Sequence, residues 1–315
     1  MMATGTDHIQ GLWADLLLPL NVDLSVNTKK LYTHIQTLAA KGVAGLVLFG
    51  RMGEGWTFSP GERASVVQAL INQGIAGEDL LLNAGTSNLS DTVHLIQQTQ
   101  ALGVKHFMLM PPVMEADSTD QGLVDFFSET LRQLAGLNAS FYLSSPISAN
   151  AGDFNTRVIS EVLGKHPKLF KGLIDQSPNA SHTLDWIRSF SSQLRVYTSH
   201  DMNAQVVAGM GNHTCISSYA NILTRLMNKT ISAPSAQQKV AVSGNKIDED
   251  TSRLNEFDQW LTHLPRVPAL KFLLSLHDHD PDWIRVRPPL SPLANDAQEK
   301  LSKAFKKMSL HPNVF

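Results

Sequence analysis

The sequence predicts an α/β protein, a (β/α)8 barrel followed by a C-terminal helical extension. Eight short apolar runs alternate with longer amphipathic segments over about 220 residues. With 315 residues, 43% of them hydrophobic, the chain can bury a large core, and this length is ordinary for such a barrel. A doubly wound open sheet would give the same alternation, so periodicity alone leaves both architectures open.

The strand candidates are short runs rich in aliphatic and aromatic residues. In chain order they are Leu12–Leu18, Ala44–Phe49, Leu80–Asn83, His106–Met110, Ala139–Ser144, Leu169–Ile174, Leu194–Thr198 and His213–Ser217. Helical patterns between them cover Asn27–Lys41, a segment from Ser59, Asn88–Leu102, Thr119–Gly136, Asn155–Leu163, Asn179–Phe190 and Asp201–Gly209. The clearest helix start has Ser59 as N-cap, Pro60 at the first position and Glu62 three residues after the cap.

The remainder of the chain shows helical patterns and no convincing strand. We therefore predict a barrel over residues 1–222 and a helical extension, packed on the barrel, over residues 223–315. Helices are expected at Leu254–Leu264, Val267–Leu276 and Asn295–Met308, and the polar segment Ser232–Thr251 is expected to be a loop or linker.

Composition restricts the partners and the compartment. The net charge of −2 gives no indication of a nucleic-acid or anionic-membrane partner. Apolar runs such as Leu16–Leu20 fall far short of the roughly 20 residues of a membrane span. Residues 1–10 lack a basic segment followed by an apolar one, so no secretory signal is expected. The single cysteine, Cys215, cannot form an internal disulfide and favours a cytoplasmic location.

Three stretches, in order along the chain, resemble the dihydrodipicolinate synthase / N-acetylneuraminate lyase family. Residues 49–54 (Phe-Gly-Arg-Met-Gly-Glu) with the helix start at 59–63 are similar to its Gly-Thr-Thr-Gly-Glu loop and the helix that follows. Residues 216–221 (Ile-Ser-Ser-Tyr-Ala-Asn) resemble its last-strand motif, and residues 286–293 its C-terminal Arg-x-Pro-Leu signature. The resemblance implies a (β/α)8 barrel with a helical extension, assembled as a homo-oligomer, a tetramer or the dimer within it.

The resemblance also implies a chemistry. Family members are class I aldolases and lyases in which a strand-six lysine forms a Schiff base with a 2-keto acid. A strand-five tyrosine and the two threonine hydroxyls relay protons, and backbone amides of the threonine loop hold the substrate carboxylate.

Several of these roles find no matching residue here. The motif Gly172-Leu173-Ile174-Asp175 places Ile174 at the lysine position, and an isoleucine cannot form an imine. Alignment on Pro146 places Leu143 at the tyrosine position and Ser148 at that of an arginine. Leu143 and Ile174 are therefore expected near each other on the mouth or lumen side of the barrel. Both threonines are replaced in the loop 50–54, and a tyrosine that members supply to a neighbouring subunit falls near 112–113.

Two nearby residues are candidate substitutes for the missing tyrosine and lysine. Tyr142 neighbours the tyrosine position, but successive strand residues point to opposite faces, so we expect it to face the helices unless a bulge intervenes. Lys171 is expected on the face opposite Ile174, near the amino end of the strand, whereas barrel chemistry lies at the carboxyl ends.

Other polar residues are expected at the carboxyl ends of the strands. The ligand-binding candidates are Arg51, Gly53, Glu54, Ser144, Asp175, His200 and Ser217. Arg51 could bind an anion bidentately or form a surface salt bridge. Asp175, His200 and Glu54 could form a metal site or an acid–base pair, but their spacing does not single them out, and no metal or cofactor is predicted. Asp201 is predicted to cap a helix beginning near Met202, and the run His277–Asp280 to be a solvated loop.

Three functions remain open at this point. The chain could be a family member that has lost the aldolase reaction and binds a small carboxylic acid, with a regulatory or structural role. It could be an enzyme that acts on a 2-keto or sugar acid with other residues, such as Arg51, Asp175 and His200, or with a metal. It could also retain residual lyase activity. The missing lysine favours the first, because the site rather than the fold determines function.

Overall fold

The computed structural model describes residues 8–112, 118–145, 155–232 and 249–309. No helix in these ranges is both long and apolar enough to cross a membrane.

Eight parallel strands form a closed barrel, in sheet order β1 to β8, so the predicted (β/α)8 barrel is confirmed and the open sheet is excluded. The strands are β1 (Leu12–Asp15), β2 (Gly45–Leu48), β3 (Leu80–Asn83), β4 (His106–Leu109), β5 (Ser140–Ser144), β6 (Phe170–Asp175), β7 (Arg195–Thr198) and β8 (Cys215–Ser217).

A helix follows each strand. They are α1 (Thr28–Ala40), α2 (Pro60–Asn72), α3 (Leu89–Gln100), α4 (Asp120–Gln133), α5 (Thr156–Lys165), α6 (Ala180–Phe190), α7 (Ala204–Ala208) and α8 (Thr224–Ser232). The extension adds α9 (Glu249–Leu261), α10 (Arg266–His277) and α11 (Asn295–Ser309). Residues 249–251, predicted as loop, are therefore helical, and residues 233–248 of that prediction lie outside the described ranges. The boundary near residue 222 stays a prediction.

Side-chain caps fix where the barrel helices begin. Ser59 accepts from the N–H of Glu62, whose carboxylate returns to the N–H of Ser59, which is the predicted capping box. Asparagine or threonine side chains cap other helices in the same way at Asn27, Asn88, Thr119, Asn155 and Asn179. Each cap satisfies a backbone donor that has no partner within the helix, so these boundaries are encoded locally.

Two sequence predictions about element ends are wrong. β1 ends at Asp15 rather than Leu18, because the N–H of Leu17 turns to the side chain of Asn221 instead of a neighbouring strand. Asp201 does not cap a helix: it begins a 3₁₀ turn, Asp201–Asn203, and its carboxylate accepts from the hydroxyls of Ser217 and Ser218.

The packing divides the chain into two compact units. One contains Gln10–Thr57 and the chain from Asp201 onward, and thus β1, β2, β8 and the extension. The other contains His8 and Ile9 together with residues 58–200, and thus β3 to β7.

Candidate functional site

Ile174 lies on the interior face of β6. Its neighbour Asp175 points outward, because the Asp175 carboxylate accepts a hydrogen bond of 2.5 Å from the hydroxyl of Thr183 on α6. Successive strand residues alternate, so Ile174 faces the barrel interior as expected. It pairs with Ser144 on one side and Tyr197 on the other, and it is buried. A hydrocarbon side chain therefore occupies this interior position.

Leu143 does not share that face, contrary to the expectation from sequence. It pairs with Leu173, whereas Ser144 pairs with Ile174. The cause is a register shift between Phe141 and Tyr142, where the partner on β6 jumps from Phe170 to Gly172. One extra residue in β6 reverses the matching of faces. Tyr142 consequently shares the interior face with Ile174, which is the bulge exception to the predicted outward orientation.

Tyr142 belongs to a buried network at the amino end of the barrel. Its hydroxyl accepts from the N–H of Ile9 at 3.2 Å and lies 3.3 Å from Nδ1 of His106. The hydroxyl of Tyr197 donates to the carbonyl of Ile9 at 3.3 Å. Ile9 precedes β1, so these phenols point away from the carboxyl ends of the strands, where barrel chemistry takes place. Burial lowers the pKa of His106 to about 4, so this histidine is neutral near pH 7.

Polar side chains do line the interior near the ends of β5 and β6. The Ser144 hydroxyl accepts from Nε2 of Gln176 at 2.8 Å, and the Ser145 hydroxyl accepts from the N–H of Gln176 at 3.0 Å. Ser144 was predicted here from the sequence, whereas Gln176 was not, because a glutamine after a strand carries no recognisable pattern. Pro146 and Ser148 lie outside the described residues.

Asp175 and His200 are held by neighbours in their own unit. Besides Thr183, the Asp175 carboxylate accepts from the N–H of Ser177 at 2.9 Å and lies 3.0 Å from Nδ1 of His182. The N–H of His200 donates to the hydroxyl of Thr198 at 3.2 Å. Within the described ranges no three His, Cys, Asp or Glu side chains are placed to hold a metal ion.

Glu54 ties the loop after β2 to the extension. It is fully buried, with a positive φ of 51°, and its Oε1 pairs with the ammonium of Lys271 on α10. Its Oε2 accepts from the N–H of Arg287 at 2.6 Å, and the Lys271 ammonium also donates to the carbonyl of Arg285. Burial lowers the pKa of Lys271, and the Glu54 carboxylate opposes this shift. These contacts occupy both carboxylate oxygens of Glu54.

The most unusual group in the first unit is Asp15, which the sequence analysis overlooked. Asp15 ends β1 and keeps partial exposure, but its Oδ1 atom is buried and has no hydrogen-bond partner among the described residues. Its Oδ2 accepts from the N–H of Met52 at 3.2 Å. Burial raises the pKa of the Asp15 carboxyl to about 7, against the opposing effects of the Met52 N–H and the Arg51 charge.

The loop after β2 is shaped to approach this carboxyl closely. A Cβ at Gly50 would lie 2.2 Å from Oδ1 of Asp15, so a larger residue there would require the Asp15 carboxyl to move. At Gly53 a Cβ would lie 3.0 Å from the backbone N of Phe49. The Arg51 side chain is exposed, and its pKa is lowered by loss of solvent and by Arg266 but raised by the Asp15 carboxylate.

The last-strand motif supports the same region. Ser217 donates to Asp201 Oδ1 at 2.5 Å and accepts from the N–H of Ala220 at 2.9 Å, so this predicted ligand-binding hydroxyl is engaged within the loop. Asn221 accepts from the N–H of Leu17 and donates to the carbonyl of Asp15 at 2.7 Å. The motif therefore fixes the backbone on which Asp15 is carried.

The run His277–Asp280 is placed at the end of α10 and in the turn after it. Nδ1 of His277 lies 2.7 Å from the Asp278 carboxylate, and Asp280 pairs with Lys30 and caps the next turn. His277 is thus helical, contrary to the predicted loop, whereas Asp278, His279 and Asp280 lie in the turn after the helix.

Comparison with known proteins gives one family along nearly the whole chain. The model of the dihydrodipicolinate synthetase family matches residues 8–308. An uncharacterized DapA-like lyase of Chloroflexus aurantiacus is 25% identical over 302 residues, 95% of this chain and 97% of the relative. A 2-dehydro-3-deoxy-phosphogluconate/2-dehydro-3-deoxy-6-phosphogalactonate aldolase of Saccharolobus solfataricus is 24% identical over 91% of this chain and 92% of its own.

Solved structures agree on the fold. Dihydrodipicolinate synthase from Agrobacterium tumefaciens superposes with a TM-score of 0.83 at 22% identity, over 94% of this chain and 98% of that one. A monomeric dihydrodipicolinate synthase variant superposes with a TM-score of 0.79 at 18% identity, over 96% of this chain and 98% of the variant.

Proposed function

Because this chain belongs to the dihydrodipicolinate synthetase family, we propose that it binds a small carboxylic acid in the family barrel without forming a Schiff base. The observation that carries this proposal is Ile174, a buried hydrocarbon side chain on the interior face of β6, where the resemblance expects the lysine. An imine needs a primary amine, and isoleucine has none.

Neither Lys171 nor Lys271 takes the place of the missing lysine. Lys171 is the second residue of β6 and lies at the amino end of the strand. Lys271 is fully buried and paired with Glu54. Tyr142, the phenol nearest in sequence to the family tyrosine position, is directed to the amino end of the barrel.

The ligand class follows from the groups that remain. Arg51 is an exposed residue on the loop after β2, and its guanidinium is partly desolvated and repelled by the charge of Arg266. A guanidinium in this setting favours an anion, and a carboxylate matches its planar donor geometry. A regulatory or structural role of a homo-oligomer in the cytoplasm is part of the same proposal.

The test is reductive trapping. Incubation with pyruvate and borohydride, followed by intact-mass measurement, is expected to leave the mass unchanged, while an active class I aldolase treated alongside gains the reduced adduct. A mass increase mapped to a lysine of this chain would overturn the proposal. A thermal-shift screen of 2-keto acids tests binding separately, because a ligand of the folded state raises the midpoint of unfolding.

A second candidate is a carbon–carbon lyase that uses residues other than those of the family. Asp15 favours it, since a partly exposed carboxyl with a pKa of about 7 suits general acid–base catalysis near neutral pH. Incubation with 2-keto-3-deoxygluconate, with released pyruvate measured by a coupled dehydrogenase, separates the two candidates. Turnover that Asp15→Asn abolishes would favour the lyase.

A further inference from the structure

Asp15 occupies one donor that an anion bound on the β2 loop would use, the Met52 N–H, and it lies within electrostatic reach of Arg51. The Met52 N–H donates to its Oδ2 at 3.2 Å, and the Arg51 charge and backbone N–H both act on the same carboxyl. Gly50 lets the loop backbone close over Oδ1. The chain has thus placed one of its own carboxylates against the anion-attracting part of the loop.

The Asp15 carboxyl lacks a hydrogen-bond donor for one of its two oxygens. Oδ1 is buried without a hydrogen-bond partner among the described residues, and a buried carboxylate oxygen without a donor is costly when the group is ionised. The charges that face Asp15 from the surrounding elements are Arg51, which favours ionisation, and Asp201, which opposes it. The carboxyl is therefore held close to the balance between its neutral and ionised forms near pH 7.

We propose that ionised Asp15 competes with a small carboxylate ligand for the Met52 N–H and the Arg51 guanidinium, so that the ligand binds together with one proton. This inference rests on the proposed function, since it requires that the loop bind a carboxylic acid. Neutral Asp15 competes less strongly for the donors, and it carries no negative charge that would repel the ligand carboxylate. Its O–H then becomes a donor to the bound carboxylate.

The coupling has a defined direction. Well below pH 7 Asp15 already carries the proton, so ligand affinity is independent of pH. Above pH 7 each bound ligand must draw a proton from solution, and affinity falls by up to about tenfold per pH unit. The site would then respond to pH over the physiological range through a carboxyl group rather than a histidine.

The experiment is isothermal titration calorimetry with pyruvate from pH 5.5 to 8.5, repeated in two buffers with different heats of ionisation. For the wild-type protein we expect the pH dependence just described, and near pH 7.5 an uptake approaching one proton per ligand. Asp15→Asn should bind with pH-independent affinity and take up no proton. Arg51→Gln should bind more weakly at low pH, and its affinity should begin to fall at a higher pH than in the wild type, because the Arg51 charge favours ionisation of Asp15. Asp296→Asn, an exposed matched change on α11, should behave as wild type.

Failure of the inference is distinct from failure of the proposed function. Pyruvate binding by the wild-type protein without pH dependence or proton uptake would overturn the competition and leave carboxylate binding intact; this measurement needs no variant. A pH slope that persists in Asp15→Asn would also overturn it. If neither the wild type nor Asp15→Asn binds pyruvate at any pH, both are overturned. Binding by Asp15→Asn at pH 8, where the wild type shows none, would support both.

Discussion

Asp15 shows how the environment of one side chain can change its protonation near neutral pH. At the end of β1 it is partly buried, lacks a donor for Oδ1 and lies against the β2 loop. A carboxylic acid in that environment favours its neutral form, because burial penalises the charge more than the Met52 and Arg51 N–H groups and the Arg51 charge compensate. The raised pKa of Asp15 also makes the stability of the protein depend on pH, and this dependence can be measured without any ligand.

The folded-state pKa of Asp15, about 7, lies above the ordinary value of 3.8, so between these two values the folded protein binds more protons than the unfolded chain. The contribution of Asp15 to the free energy of unfolding is therefore present below pH 4 and is lost as pH rises to 7. Asp15→Asn should remove that loss. The free energy of unfolding of the variant minus that of the wild type should therefore increase by about 2 kcal/mol from pH 5 to pH 8. Urea unfolding at both pH values measures the difference.

Buried histidines change the free energy of unfolding with pH in the opposite direction. The stability of Asp15→Asn must therefore be compared with that of the wild type at each pH. Burial lowers the pKa of His34 to about 4, and that of His106 likewise. Both histidines disfavour folding as pH falls from 6.5 toward 4. Because this effect is shared by wild type and variant, it cancels in the difference. An Asp15→Asn stability profile parallel to that of the wild type would contradict the raised pKa.

At the scale of elements, the buried pair of Glu54 and Lys271 joins the β2 loop to α10. The two residues are 217 positions apart, and both side chains are fully buried. Removal of one partner leaves the other charge buried without compensation, whereas removal of both leaves only a polar or apolar contact. The pair should therefore behave as a unit in a double-mutant cycle.

Lys271→Met should lower the free energy of unfolding by about 3–5 kcal/mol, because Glu54 then has no counter-charge. The double variant with Glu54→Gln should recover much of that loss. The matched control is Lys307→Met, whose partner Glu256 is 3.8 Å away at the surface, and we expect a change below about 0.5 kcal/mol there. If Lys271→Met and Lys307→Met are equally mild, the buried pair does not stabilise the extension.

The elements also show which features a sequence can predict. The capping box at Ser59 and the interior position of Ile174 depend on local patterns, and both are found in the structure. The closed barrel is also found, but the local patterns were equally compatible with an open sheet, and the family resemblance favoured the barrel. The orientation of Leu143 was wrong because a register shift between two strands leaves no mark in either strand alone. Asp15 was overlooked because its environment is created by a loop that lies 37 residues away.

At the scale of the whole molecule, family membership leads us to predict a homo-oligomer, a dimer or tetramer. Soluble chains with an apolar surface commonly form closed symmetric assemblies. Val206, 42% exposed in α7, and Met210, 56% exposed just after it, are apolar side chains in a position to be covered by another copy of the chain.

Size-exclusion chromatography with multi-angle light scattering at micromolar concentration should give two or four times the chain mass. If the α7 surface is the contact, Val206→Lys should shift the protein toward monomer, because a buried charge without a partner opposes association. Val22→Lys, at a side chain that is 84% exposed, is the control and should leave the mass unchanged. A monomer in the wild-type protein would contradict the oligomer. An oligomer that Val206→Lys leaves intact would place the interface elsewhere.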